Sequence, residues 1–309
     1  MIVRMCCALA LVALLVGPAR LSGAPLAELI SMRTDDKVLL HGLHYSPKTP
    51  SRSVVIHVPG GPGAFYSIQD VAPLAEALTR NGYHFFSVNL RTAGTNGMLY
   101  ARFEDSQPDI AAMVRFAKEK GCDQIVFLAV SLSAARAFHY LSQTREPAVK
   151  GVVLAGAVSS PYLEAQLRWN QTERARYDEF LARQREIVKA GRGREIASYP
   201  WAGGRDWEFA ASAWVSVFGN PEESNASAVK YAKDITVPVL LVHGTGDVAA
   251  VPENSRRIEA SLANSPMKEV VLIDGADHLF IGHAEKFAQV VTDWLLKHLP
   301  PAAGKAPSR

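Results

Sequence analysis

The sequence predicts an α/β chain: a mostly parallel central sheet flanked by helices, carrying one helical insertion. Three observations predict it. Short apolar runs of strand length alternate with helix-period segments from residue 53 to residue 298. The alternation breaks once, at 160–231, where charged residues and helix formers replace buried-strand runs. The residues best suited to chemistry fall just past the ends of predicted strands, where open α/β sheets bind ligands.

Taken in order, residues 27–47 alternate apolar and polar side chains around Asp35-Asp36, the pattern of a β-hairpin. Residues 53–58 (SVVIHV) form a continuous apolar run, as in a strand covered on both faces. The Gly-rich loop PGGPGAFY follows. Val71, Leu74 and Leu78 then keep helical spacing until Asn81-Gly82 stops them. Strands are predicted at 84–90, 124–130, 151–158, 237–244 and 269–275, and helices at 109–121, 132–143, 252–262 and 284–298. In the last helix Phe287, Val290, Val291, Trp294 and Leu295 share one face. Inside 160–231, Tyr177, Phe180, Leu181, Ile187 and Val188 keep helical spacing up to Gly191, and four of the five tryptophans fall in this stretch. The expected organisation is a leader at 1–24, a core at 25–159 and 232–300, a helical insertion at 160–231, and a disordered tail at 301–309.

The leader has three parts. Arg4 supplies the positive start, Cys6–Val16 is an apolar run, and Gly17 and Pro18 break it. The run of 11 residues is short of the roughly 20 needed to span a bilayer. This predicts export with cleavage between Ala19 and Ala27, and no stable membrane anchor afterwards. Removing Arg4 and Arg20 from 33 basic residues leaves 31 against 30 acidic ones. Such a neutral chain gives no reason to expect a nucleic-acid partner. One cysteine, Cys122, would remain, so no internal disulfide is expected.

Ser131 directly follows the strand 124–130 and precedes a helix, in the context Ala129-Val130-Ser131-Leu132-Ser133. A sharp strand-to-helix turn needs small residues two places on either side and exposes the hydroxyl above the sheet. A plain helix N-cap fits the same five residues. Ser133 satisfies the small-x-Ser-x-small pattern too, but lies inside the predicted helix. Asp247 lies just past the strand 237–244, where a carboxylate can orient an imidazole; an Asx-turn is the bland alternative. His278 follows the last strand, with His283 as a substitute base; Asp274 and Asp277 sit on the wrong strand to orient it. No metal-ligand spacing accompanies these histidines, and no cofactor is called for. Backbone N–H groups of Gly61 and Leu132 are candidates for an oxyanion hole. Phe65, Tyr66, Trp207 and Trp214 are candidates for lining a substrate pocket. The insertion's tryptophans, Trp201 among them, equally suit its own core, the commoner arrangement. Asn170 and Asn225 begin glycosylation sequons that matter only in a eukaryotic host.

Together these segments resemble the α/β-hydrolase superfamily over most of residues 30–299. PGGPG (59–63) is similar to the oxyanion motif of its proline iminopeptidase-like branch, with Pro59 where that branch has His. VNLRTAGTNG (88–97) is similar to the branch's next loop, with Asn89 for Asp. AVSLSA stands where the nucleophile motif would be, without its glycines. PVLLVHGTGDVAAVP (238–252) and GADH (275–278) resemble the family's acid and histidine segments. The resemblance implies a Ser131–His278–Asp247 triad, and an insertion that caps the pocket. The expected function is an exported serine hydrolase of small or medium carboxylic esters. An aminopeptidase of the iminopeptidase type is the alternative, holding a free amine on acids such as Glu164, Glu173, Glu208, Glu222 or Glu223. A catalytically silent binding protein on the same fold is a further one. The expected partner is a small-molecule ester or a short peptide.

Overall fold

The computed structural model describes residues 27–61, 63–64, 71–94, 97–201 and 205–304. The leader at 1–24, with its cleavage region, lies outside the described residues. The core elements are β1 (Ala27–Arg33), β2 (Leu39–Tyr45), β3 (Ser53–Val58), α1 (Val71–Arg80), β4 (His84–Val88), α2 (Gly97–Tyr100), α3 (Gln107–Glu119), β5 (Gln124–Val130), α4 (Ser133–Thr144) and β6 (Val149–Ala155). The insertion adds α5 (Pro161–Arg168), α6 (Gln171–Lys189), β7 (Ile196–Trp201), β8 (Arg205–Ala210), α7 (Ala211–Phe218) and the single turn α8 (Ala228–Tyr231). The core then resumes with β9 (Val239–Gly244), α9 (Glu253–Ser261), β10 (Lys268–Ile273) and α10 (Ala284–His298).

Eight strands form one sheet in the order β1-β2-β4-β3-β5-β6-β9-β10. The first two are antiparallel to their neighbours; β4 through β10 run parallel. The continuous apolar runs read as strands covered on both faces, and alternate residues do go to opposite sides. Val54, Ile56 and Phe127 join one apolar layer; Val55, Val126 and Leu128 join the other. Leu74 and Leu78 of α1 and Val291 and Leu295 of α10 close the second layer. Ile110 and Met113 of α3, Phe138 of α4 and Ile258 of α9 close the first. The β3–β4 crossover therefore covers one face and the β4–β5 crossover the other. The loops after β3 and β5 part at that point and open a crevice at the strand ends.

The insertion is not wholly helical. Strands β7 and β8 pair antiparallel, Tyr199 opposite Trp207 and Trp201 opposite Arg205. Tyr199, Trp201, Trp207 and Phe209 turn toward the insertion's core, while Ser198, Pro200, Asp206 and Glu208 turn out. A hairpin with one wet face carries no continuous apolar run, so its residues give no buried-strand signal in the sequence. The tail also differs from expectation. Arg52 N–H donates to the Ala302 carbonyl (2.9 Å), Gly304 N–H to that of Pro50 (2.9 Å), and Ser51 bridges to Ala303. Residues 301–304 are thus paired with the chain before β3; residues 305–309 lie outside the described residues.

Cys122 is free and buried, and burial pushes its thiol up to about 12. Of the two sequon asparagines, Asn170 is exposed and caps α6, accepting Glu173 N–H at 3.0 Å. Asn225 spends its amide nitrogen on Glu104 (2.8 Å), so the atom a glycan would need is already engaged.

Candidate active site

Ser131 follows β5 with φ +55°, a left-handed conformation that a side-chain-bearing residue adopts at a cost of about 1–3 kcal/mol. The turn is held by Ser131 N–H donating to the Ala155 carbonyl (2.9 Å) and by Ala134 N–H donating to the Ser131 carbonyl (3.2 Å). Gly60 makes room for it: a Cβ there would stand 2.7 Å from Ser131 Cβ and 2.9 Å from the Val130 carbonyl oxygen. Ser131 is therefore at a strained strand-to-helix elbow rather than a relaxed N-cap. Ser133 is buried, and its Oγ donates to the Pro59 carbonyl at 2.6 Å. It faces the underside of the loop after β3, which removes it as a rival nucleophile.

Asp247 divides its two oxygens. Oδ1 accepts the N–H groups of Ala249 and Ala250, both at 2.8 Å, so the Asx-turn is present. Oδ2 accepts His278 Nδ1–H, also at 2.8 Å. A third group, His243, was not singled out in the sequence. It is buried in β9 and brings Nε2–H to 2.7 Å from the Ala250 carbonyl and 3.2 Å from Asp247 Oδ2; its Nδ1 accepts the Ser255 hydroxyl at 2.7 Å. Burial alone would raise the Asp247 pKa. Hydrogen bonds from His243, His278 and Ala250 N–H outweigh it and hold the carboxyl well below the usual carboxylate range. With Nδ1 committed to that carboxylate, Nε2 of His278 is the nitrogen left to take a proton.

The turn that follows His278 is closed by Asp277, whose Oδ1 accepts the N–H groups of Leu279 (3.1 Å) and Ile281 (2.9 Å). Asp274 accepts the Thr245 hydroxyl (3.0 Å), and His283 Nδ1 faces the Ile281 carbonyl (3.2 Å); neither takes part in the pair. Ser131, His278, Gly61 and Leu132 line one cavity of about 820 Å³. Its far wall is the insertion: Trp201, Trp207, Phe209 and Phe218, with Asp206 and Glu208 alongside. The peptide plane fixes the Gly61 N–H. The Gly60 carbonyl accepts Gly63 N–H at 2.8 Å, and the amide hydrogen of a trans peptide points away from its carbonyl.

The four pocket candidates divide. Trp207 lines the cavity, stacked on Trp201 with centroids 5.2 Å apart. Trp214 does not. It is fully buried between Phe180, Phe209 and Phe218, and its Nε1–H donates to the Ala197 carbonyl at 2.9 Å. Phe65 and Tyr66 lie outside the described residues. Among the acids proposed to hold an amine, Glu164 lines the cavity but is buried and already paired with Arg168 and the Asn254 amide. Glu173 belongs to the cap of α6, Glu223 pairs with Arg185 (2.6 Å), and Glu222 is exposed with its N–H on Asn220. Glu208 and Asp206, which the sequence did not suggest, also line the cavity, at exposed positions of the hairpin.

Residues 38–290 match the alpha/beta hydrolase family. The chain belongs to that family. No curated protein matches the chain. Among solved structures, the hydrolase fold recurs in the esterase domain of a Rhodothermus marinus protein (18% identity, TM-score 0.59, 88% of this chain and 99% of that one). It recurs in Est1E from Butyrivibrio proteoclasticus (17%, TM-score 0.61, 88% and 98%). Acylaminoacyl peptidase from Pyrococcus horikoshii shares it too (14%, TM-score 0.62, 90% and 42%). Within this hydrolase the elbow lacks glycines, Ala129 and Ser133 standing two places either side of Ser131, yet the left-handed turn forms.

Proposed function

We propose that this hydrolase is an exported serine esterase acting on small or medium carboxylic esters through an acyl-enzyme. The observation that carries the reading is the left-handed Ser131 sharing a cavity with His278, whose other ring nitrogen is held by an ionised Asp247. Ser131 Oγ attacks the ester carbonyl while His278 Nε2 takes its proton and returns it to the leaving alkoxide. Asp247 fixes the tautomer and stabilises the imidazolium. The N–H groups of Gly61 and Leu132 receive the tetrahedral oxyanion, and water then releases the acyl group. The aromatic wall suits an apolar acyl chain. Export is supported by the leader-like pattern of residues 1–24: Arg4, an apolar run and then Gly17-Pro18.

A fluorophosphonate probe tests the nucleophile. Wild type should label, Ser131→Ala should not, and its ester hydrolysis should fall about 10⁴-fold or more. Equal labelling of the two proteins overturns the assignment. For export, N-terminal sequencing of protein recovered outside the cytoplasm should find a start between Ala19 and Ala27. Uncleaved protein retained in the cytoplasm speaks against it.

Asp206 and Glu208 favour one second reading, an aminopeptidase that holds a substrate amine on the cavity's acids. Comparing a p-nitrophenyl ester with a prolyl-arylamide separates the two. Faster turnover of the arylamide than of the ester replaces the esterase reading with this one.

A further inference from the structure

Beneath the loop after β3 lies a cation that the chemistry above does not use. Arg136, in the first turn of α4, is buried and has no direct carboxylate partner among the described residues. Asp109, whose charge acts on it from a distance, is already held by Arg91 through its backbone N–H (2.8 Å) and Nε (2.9 Å). The guanidinium spends its donors on the loop instead. Nη1 faces the Pro59 carbonyl (3.4 Å) and Ser133 Oγ (3.1 Å), and Nη2 faces the Gly61 carbonyl (3.3 Å). Ser133 donates its own proton to the same Pro59 oxygen. Nε finds no partner among the described residues.

Three successive carbonyls are therefore tied down. Pro59 is held by Ser133 and Arg136, Gly60 by Gly63 N–H, and Gly61 by Arg136. Peptide planes on both sides of Gly61 are fixed, and with them the direction of its N–H. We infer that Arg136, with Ser133 beside it, is a positioning residue of the oxyanion loop, holding the Gly61 N–H toward the developing oxyanion and placing a buried positive charge under it. Neutral donors would satisfy those carbonyls equally well. A cation also favours the state in which negative charge builds on the substrate oxygen, because little water separates them. Ser133 stands where the elbow motif ordinarily has glycine, so its hydroxyl adds an anchor that a glycine cannot supply. The inference rests on the Ser131 reading above.

The test uses the whole mature chain, a p-nitrophenyl butyrate assay and an alkylboronic acid, which forms a tetrahedral adduct with an active-site serine. Arg136→Met should lower kcat about 10²-fold, the scale of one lost oxyanion donor, with KM within threefold. Boronate affinity should weaken in parallel. Arg136→Lys should recover part of kcat, and Ser133→Ala should lose about tenfold. A folded Arg136→Met with wild-type kcat, or with reduced kcat and unchanged boronate affinity, overturns the inference. If Arg136→Met does not fold, Arg136→Lys and Ser133→Ala decide, and unchanged kcat in both overturns it. Wild type inactive toward the ester and silent toward the boronate is a different failure, that of the Ser131 reading. In that case hydrogen exchange at the Gly61 amide still decides whether Arg136 holds the loop: faster exchange in the variant supports it and equal exchange refutes it.

Discussion

At Gly156, the residue after β6, a methyl group would stand 3.1 Å from the His278 carbonyl oxygen and 3.2 Å from its Nδ1, with Asp247 Oδ2 at 3.4 Å. Its φ of +52° adds a penalty of roughly 1–2 kcal/mol for any L side chain. Gly156→Ala therefore pushes on the histidine–aspartate pair directly. The expected outcome is a destabilisation of about 1–2 kcal/mol in urea unfolding, with kcat falling about tenfold and KM nearly unchanged; a variant with full kcat removes the constraint. Asp247→Asn probes the same pair from the other side. An amide cannot fix the imidazole tautomer, so on the proposed mechanism kcat should drop about 10⁴-fold, as it does in Ser-His-Asp hydrolases. Since His243, His278 and the Ala250 N–H hold the Asp247 carboxyl well below the usual carboxylate range, it stays ionised above pH 4. Any loss of activity between pH 5 and 7 then belongs to another group, and the profile should show no step from Asp247 down to pH 4.

At the scale of elements, the hairpin β7–β8 supplies part of the cavity's wall. Trp207 forms its wall with Trp201, whereas Trp214 on α7 is packed away from it. Trp207→Ala should lower kcat/KM for a hexanoyl ester about tenfold relative to an acetyl ester, the worth of roughly two buried methylenes. Trp214→Phe should leave that ratio alone and cost about 1 kcal/mol through the lost bond to the Ala197 carbonyl. If Trp214→Phe shifts the ratio as far as Trp207→Ala does, this division of labour is wrong. The same contrast explains what the sequence could and could not convey. Strands such as SVVIHV and QIVFLAV are buried on both faces, and a run of apolar residues says so without further context. Ser131 and Asp247 are visible because each stands just past such a run, and His278 because it follows the apolar segment of the last strand. The hairpin was hidden because only alternate residues face the insertion's core. Arg136 and His243 were hidden for another reason. Arg136 meets Gly61 across 75 residues, and no local spacing announces a contact of that kind. Nor does composition separate a tryptophan in a wall from one in a core; register along the element does.

For the whole molecule, acid stability follows from histidines that the site does not use. His57, in the middle of the sheet, is fully buried; its Nδ1 meets Ser87 Oγ at 2.9 Å and its Nε2 is unpartnered among the described residues. Burial drives its pKa down to about 3. His44, on β2, is lowered to about 4, first by burial and then by repulsion from His84. In the unfolded chain both titrate near 6.5. Between pH 6.5 and pH 4 the unfolded state thus binds more protons than the native one, so stability rises with pH and is lost on acidification through this window. Each histidine contributes a slope of about 1.4 kcal/mol per pH unit. Asp247 adds nothing here, since a lowered carboxylate pKa withdraws stability only below about pH 4. These two histidines should therefore contribute about 3–4 kcal/mol to the difference in urea unfolding between pH 7 and pH 5. The double change His57→Phe with Ser87→Ala removes one titrating group and its partner together. A cavity of about 40 Å³ beside His57, lined by Leu74, Leu128, Phe280 and Phe287, gives the larger ring room. That variant should show a smaller loss than wild type between the two pH values. A wild type equally stable at pH 7 and pH 5 would mean that His57 and His44 take up protons in the folded state, and that the sheet opens to water around them.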